Sequence, residues 1–109
     1  MVNSRTAPLD RTFAALADPT RRQLVAALAR GPRTVGELAA PLPMSLVAVG
    51  KHLVVLERAG VVDRTREGRT VVCSLRPQAL QDAARWLDAY HRFWTDRIDS
   101  LHRHLGGTP

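Results

Sequence analysis

The residues most able to do chemistry in this chain are its cations, its four histidines and its one cysteine. Arg64, Arg66 and Arg69 crowd into one short stretch, offset only by Asp63 and Glu67. Guanidinium groups so placed suit phosphate oxygens, which they bind through paired N–H donors. Lys51 and His52 lie in a segment with no carboxylate between Glu37 and Glu57, as a surface that meets a polyanion requires. His91 and His102 have ten residues between them, lie near Asp88 and Asp99, and raise the question of a metal. Cys73 has no second cysteine to pair with, so it is a free thiol: a small core hydrophobe or, less simply, a redox switch. No Gly-rich phosphate loop, carboxylate pair or nucleophile–base arrangement is present, so neither catalysis nor a cofactor is expected.

These groups need elements to hold them. Leu9, Phe13, Leu16 and Ala17 recur at helical spacing over 9–17, with residues 1–8 expected to fray. Asp18-Pro19 restarts the chain as a helix through residue 30, since Asp caps and Pro fits the first turn; Gly31-Pro32 ends it. Thr34 with Glu37 forms a capping box for a short helix over 35–42. Ser45 caps the next, over 46–60, with Leu46, Val49, Leu53 and Leu56 as its buried stripe. Residues 61–75 change to a β-branched rhythm around Glu67-Gly68, which reads as a hairpin tip. Pro77 opens a long helix to about Leu105.

The fold class is therefore mainly α with a small β-hairpin, in the order α-α-α-α-β-β-α and within one domain. Two short helices joined by a tight turn and followed by a β-ribbon match a winged helix-turn-helix. In such a module the second helix buries one face and offers a small or polar face to the major groove. The helix over 46–60 has that outward face in Val47, Ala48, Gly50, Lys51, Val54 and Arg58, with His52 toward Ala48. His52 either braces the helix or touches phosphate. Thr34 and Ser45 stand at helix starts beside this face. Arg64, Arg66 and Arg69 form a basic wing for phosphate or minor-groove contact. Net charge +6 and a pI of about 11.2 agree with a nucleic-acid partner, although a solvated basic surface gives the same totals.

The segments ALADPTRRQLVAALA, TVGELAAPLPMSLVAVGKHLVVLERAGVV, REGR and WLDAYHRFWTDRIDSL resemble the ArsR-type winged-helix repressors over about residues 9–105. The likeness is greatest to a branch that generally lacks metal sites. It implies a homodimer held by the first and last helices, binding to a double-stranded operator, and release by a signal. It also implies DNA roles for Ser45, Lys51 and His52. Val47 replaces the usual Pro of that branch and Gly50 the usual Ser, removing a hydroxyl from the groove face. One metal site of the wider family uses cysteines on the third helix, and VGELAAPL has none. Another places an Asp-x-His and a His-x-x-His or Glu on the last helix. Here Ala89 and Leu105 replace two of those four ligands, so no metal site is expected.

The last helix carries Leu87, Tyr90, Trp94, Ile98, Leu101 and Leu105 at three- and four-residue steps, widened by Trp86 and Phe93. A small core cannot cover such a face, so the helix over 77–105 is expected to dimerise, joined by Leu9, Phe13 and Leu16. No apolar run approaches the roughly 18 residues of a membrane span, and the start of the chain has no signal-peptide core. A cytoplasmic protein is expected. The rival readings are a metal- or thiol-sensing repressor of the same fold and a dimeric interaction module without DNA binding.

Overall fold

The helix starts written in the sequence are used. A computed structural model describes residues 7–106. Its elements are α1 (Ala7–Leu16), α2 (Pro19–Leu28), β1 (Arg33–Thr34), α3 (Val35–Ala39), α4 (Leu46–Arg58), β2 (Val62–Glu67), β3 (Thr70–Leu75) and α5 (Pro77–His104). Asp18 accepts the Arg21 N–H at 3.0 Å and caps α2. Thr34 and Glu37 complete the capping box of α3, with bonds of 3.1 and 2.9 Å. Ser45 Oγ accepts the Ala48 N–H at 3.1 Å and caps α4.

α2 and α4 each end two residues before expectation, at Leu28 and Arg58, and three further differences stand out. α1 begins at Ala7, so two of the eight residues expected to fray are helical; residues 1–6 lie outside the described residues. α3 ends at Ala39 rather than 42, because Pro41 offers no N–H to continue the ladder. A short strand, β1, precedes α3 and pairs antiparallel with β3, Arg33 opposite Cys73 and Thr34 opposite Val72. The sheet order is β1-β3-β2, three strands in place of a lone hairpin. Two residues give too little alternation to announce a strand; the partner creates it.

The turn from α4 into the wing is closed by backbone bonds. Gly60 has φ +77°, its N–H reaches the Glu57 carbonyl at 3.0 Å, and the Val61 N–H reaches the Leu56 carbonyl at 2.9 Å. This is the Schellman arrangement, with Leu56 and Val61 both fully buried beside it. The wing then turns on Gly68-Arg69, one residue later than expected, with Glu67 paired to Thr70. Only Gly68 needs a positive φ, +63°, as in a II′-type hairpin.

The core joins Ala15 of α1, Leu24 and Leu28 of α2, Leu38 of α3, Val49, Leu53 and Leu56 of α4, then Val61, Val62 and Cys73. α5 stands apart. It is 28 residues, about 42 Å long at 1.5 Å per residue, and buries only Ala83. The radius of gyration is 18.6 Å, against about 13 Å for a compact chain of this length. The excess comes from α5 extending past the body.

Candidate nucleic-acid interface

α3, the turn over 40–45 and α4 form the helix-turn-helix. Val49, Leu53 and Leu56 are fully buried and lock α4 to the core. The expected fourth member of that stripe, Leu46, is 58% exposed. It lies in the first turn of α4. The outward face includes Val47, Lys51 and Arg58, with Ala48, Gly50 and Val54 half-buried beside them. Val55 is also exposed, a member of this face that the sequence pattern did not single out. No side chain approaches within 4 Å of the position a Gly50 Cβ would occupy, so the bare patch there is open space.

The two cap hydroxyls stand at the starts of α3 and α4. Thr34 and Ser45 each accept a backbone N–H through oxygen, which leaves the hydroxyl proton free to donate. The Thr34 N–H bonding to Glu37 holds that carboxyl below its ordinary pKa, helped by the Thr34 hydroxyl. Glu37 is thereby committed to the cap.

His52 turns one ring nitrogen toward the start of α2, a contact that fits either of its two expected roles. Its Nδ1 lies 3.3 Å from Arg21 Nη1 and 3.9 Å from Asp18 Oδ2, and its side chain is 23% exposed. Arg21 also donates from Nε to the Ala15 carbonyl at 2.6 Å and from Nη2 to the Ala14 carbonyl at 3.4 Å. Arg22 Nη1 donates to the Leu16 carbonyl at 2.7 Å. The two arginines thus cover the open carbonyls at the end of α1, which has no basic residue in its own last turn. The Arg21 N–H, first, and the Arg21 charge hold the Asp18 carboxyl below its ordinary range. Sequence reasoning missed Arg21, because its partner His52 is 31 residues away.

The wing arginines are not equivalent. Arg64 pairs across the sheet with Cys73 and so points to the same face. Its Nε donates to Glu57 Oε1 at 3.1 Å, tying the wing to the last turn of α4. Arg66 lies further along β2 and Arg69 at the tip. Both are exposed, and neither makes an ion pair among the described residues. Cys73 is fully buried under Arg64, and desolvation pushes its thiol pKa up despite the nearby guanidinium. A thiol so placed behaves as a small core residue, with little thiolate to react.

The expected dimer residues form two groups. Leu9, Phe13 and Leu16 are half-buried on α1, and Phe13 meets Trp86 edge-on at 5.5 Å. Trp86 in turn leans on Tyr90 at 4.6 Å. Leu87, Tyr90, Trp94, Ile98 and Leu101 are all at least half exposed. His91 and His102 are exposed on α5, about 16 Å apart along its axis. Among the described residues no three His, Cys, Asp or Glu side chains gather as a metal set, and no helix is long and apolar enough to cross a membrane.

Residues 16–65, which span α2 through β2, match the family model described as a helix-turn-helix domain. The chain is 48% identical over 86 residues to the HTH-type transcriptional regulator Rv2034 of Mycobacterium tuberculosis, covering 79% of this chain and 78% of that protein. It is 38% identical to a solved ArsR family transcriptional regulator, RHA00566, with a TM-score of 0.75 over 81% of this chain and 97% of the other. The protein belongs to the ArsR family of winged helix-turn-helix transcriptional regulators. This is a family of DNA-binding regulators and not of enzymes. A third likeness, 26% identical with a TM-score of 0.63 over 91% of this chain and 93% of the other, is the homodimeric winged helix-turn-helix DNA-binding domain Mb0332 of Mycobacterium bovis.

Proposed function

We propose that this ArsR-family regulator is a homodimeric repressor that binds an inverted-repeat operator, with one α4 in the major groove of each half-site. The observation that carries the reading is the exposed face of α4. Its first three turns carry no carboxylate, it is small at Ala48 and Gly50 and cationic at Lys51 and Arg58, its one acid, Glu57, is paired with Arg64 in the last turn, and three fully buried residues hold it from behind. Base readout then rests on few groups. Lys51 reaches a guanine edge, and Val47, Ala48 and Val55 offer apolar contact to thymine methyls. Thr34 and Ser45 donate hydroxyl protons to flanking phosphates, and Arg66 and Arg69 meet the backbone or a narrow minor groove. Arg64 serves chiefly to hold the wing against α4 through Glu57.

Dimerisation is supported by the wide apolar face of α5 and by the homodimeric state of the Mycobacterium bovis relative. A second copy laid along α1 and α5 covers Leu87, Tyr90, Trp94, Ile98 and Leu101 and restores a compact particle. Two-fold symmetry then sets the half-site centres about one helical turn, roughly 10 bp, apart or a multiple of it. Selection of duplexes from a random library by the purified protein should return such a repeat, and light scattering should give about twice 12.0 kDa. A monomer that selects no sequence would refute the proposal.

A further inference from the structure

Arg21 joins three elements through one side chain. It bonds the last carbonyls of α1, its own N–H caps against Asp18 at the start of α2, and its Nη1 meets His52 Nδ1 on α4. The chemistry of that last contact is one-directional. A guanidinium has only donors and stays protonated, so the ring nitrogen facing it must accept. His52 is then a neutral imidazole with its proton on Nε2, although Asp18 at 3.9 Å would by itself favour a proton on Nδ1. The shorter guanidinium contact decides between them. Nε2 has no hydrogen-bond partner among the described residues, and no fully buried nitrogen there goes unpartnered, so Nε2 is not sealed in the core. It sits one residue after Lys51, at the edge of the exposed face of α4.

We propose that Arg21 is the positioning residue of this surface: it fixes His52 in the Nε2–H tautomer and thereby presents a hydrogen-bond donor to an operator phosphate beside α4. In the step itself Nε2–H donates to a phosphate oxygen, Nδ1 keeps its bond from Arg21, and no proton is transferred. The inference rests on α4 being the groove helix, as proposed above. The ring measurement that opens its test does not involve DNA, so the two readings fail separately.

Long-range proton–nitrogen NMR correlation of the wild-type ring should show Nδ1 unprotonated and Nε2 protonated. A wild-type proton on Nδ1 overturns the inference at once. Arg21→Met keeps the aliphatic stem and removes every donor, so the proton should move to Nδ1 toward Asp18. Affinity for a duplex of about 30 bp selected by the wild-type protein should fall about tenfold per half-site by fluorescence anisotropy. Arg22→Met is the control. It removes the neighbouring bond to α1 and does not touch His52, so the tautomer and the affinity should both stay. His52→Ala should lose the same tenfold, and adding Arg21→Met to it should lose no more. If Arg22→Met matches Arg21→Met, or if the two losses multiply in the double variant, Arg21 is a structural cap and not a positioning residue. If Arg21→Met does not fold, the wild-type ring and His52→Ala alone decide: an unprotonated Nδ1 with the tenfold loss supports the proposal, and failure of either sinks it.

Discussion

α4 and α5 are both amphipathic helices with one face left bare, and the bare faces could hardly differ more. α4 sets three residues fully into the core, and its open side is small and cationic around Ala48, Gly50 and Lys51. α5 buries Ala83 alone and leaves Trp94 58% and Leu101 59% exposed. Water tolerates the first surface well. The second loses free energy at roughly 25 cal/mol for every Å² of apolar area left in contact with water. The difference teaches what each helix is prepared to meet. A rigid, cationic face suits a charged and hydrated groove, whereas a long aromatic face suits an equally apolar one, most simply its own copy.

Breaking the second surface should have the largest effect. Trp94→Asp with Leu101→Asp places carboxylates in the middle of the α5 stripe, far from the core of the body. Light scattering should then give a monomer of 12.0 kDa. Affinity for the selected duplex should fall by about a hundredfold or more, because the two half-sites no longer share one particle. A variant that remains dimeric would show that α5 is not the seam.

Lys51→Ala should act on the first surface alone. A loss of about 1–3 kcal/mol per half-site is expected on the selected duplex and less on a scrambled one, with the dimer intact. Fluorescence anisotropy at one salt concentration separates the cases: equal losses on both duplexes make Lys51 a phosphate contact only.

Arg69→Ala sharpens the contrast between groove helix and wing. Both duplexes should weaken alike, and the slope of log affinity against log salt should shrink by about one unit. Loss of discrimination without loss of affinity for scrambled DNA would move Arg69 into base readout.

The smallest effect belongs to Gly50. It lies inside α4, has no strained backbone angle and faces open space. Gly50→Ala should raise the denaturation midpoint by an amount worth up to about 1 kcal/mol of helix propensity. Gly50→Ser adds a hydroxyl to the same face, and repeated duplex selection with that variant reads whether base preference shifts.

The helices, their caps and the chemistry of the exposed faces were legible in the amino-acid order, because each is a local matter. Asp18, Thr34 and Ser45 cap the residues that directly follow them, and the stripes on α4 and α5 need only the period of a helix. Elements that depend on a distant partner were decided by the tertiary structure. β1 is a strand only because β3 lies beside it, and Leu46 is exposed although it stands in phase with the buried stripe of α4. Arg64 turned out to be pinned to Glu57 while Arg66 and Arg69 stayed open, a distinction set by how far along the ribbon each lies from the last turn of α4 and not by composition. Arg21 and His52 show the same limit most plainly. Their types were visible from the start, but the bond that fixes which nitrogen of the ring carries the proton spans 31 residues, and only the packing of α1, α2 and α4 brings the two together.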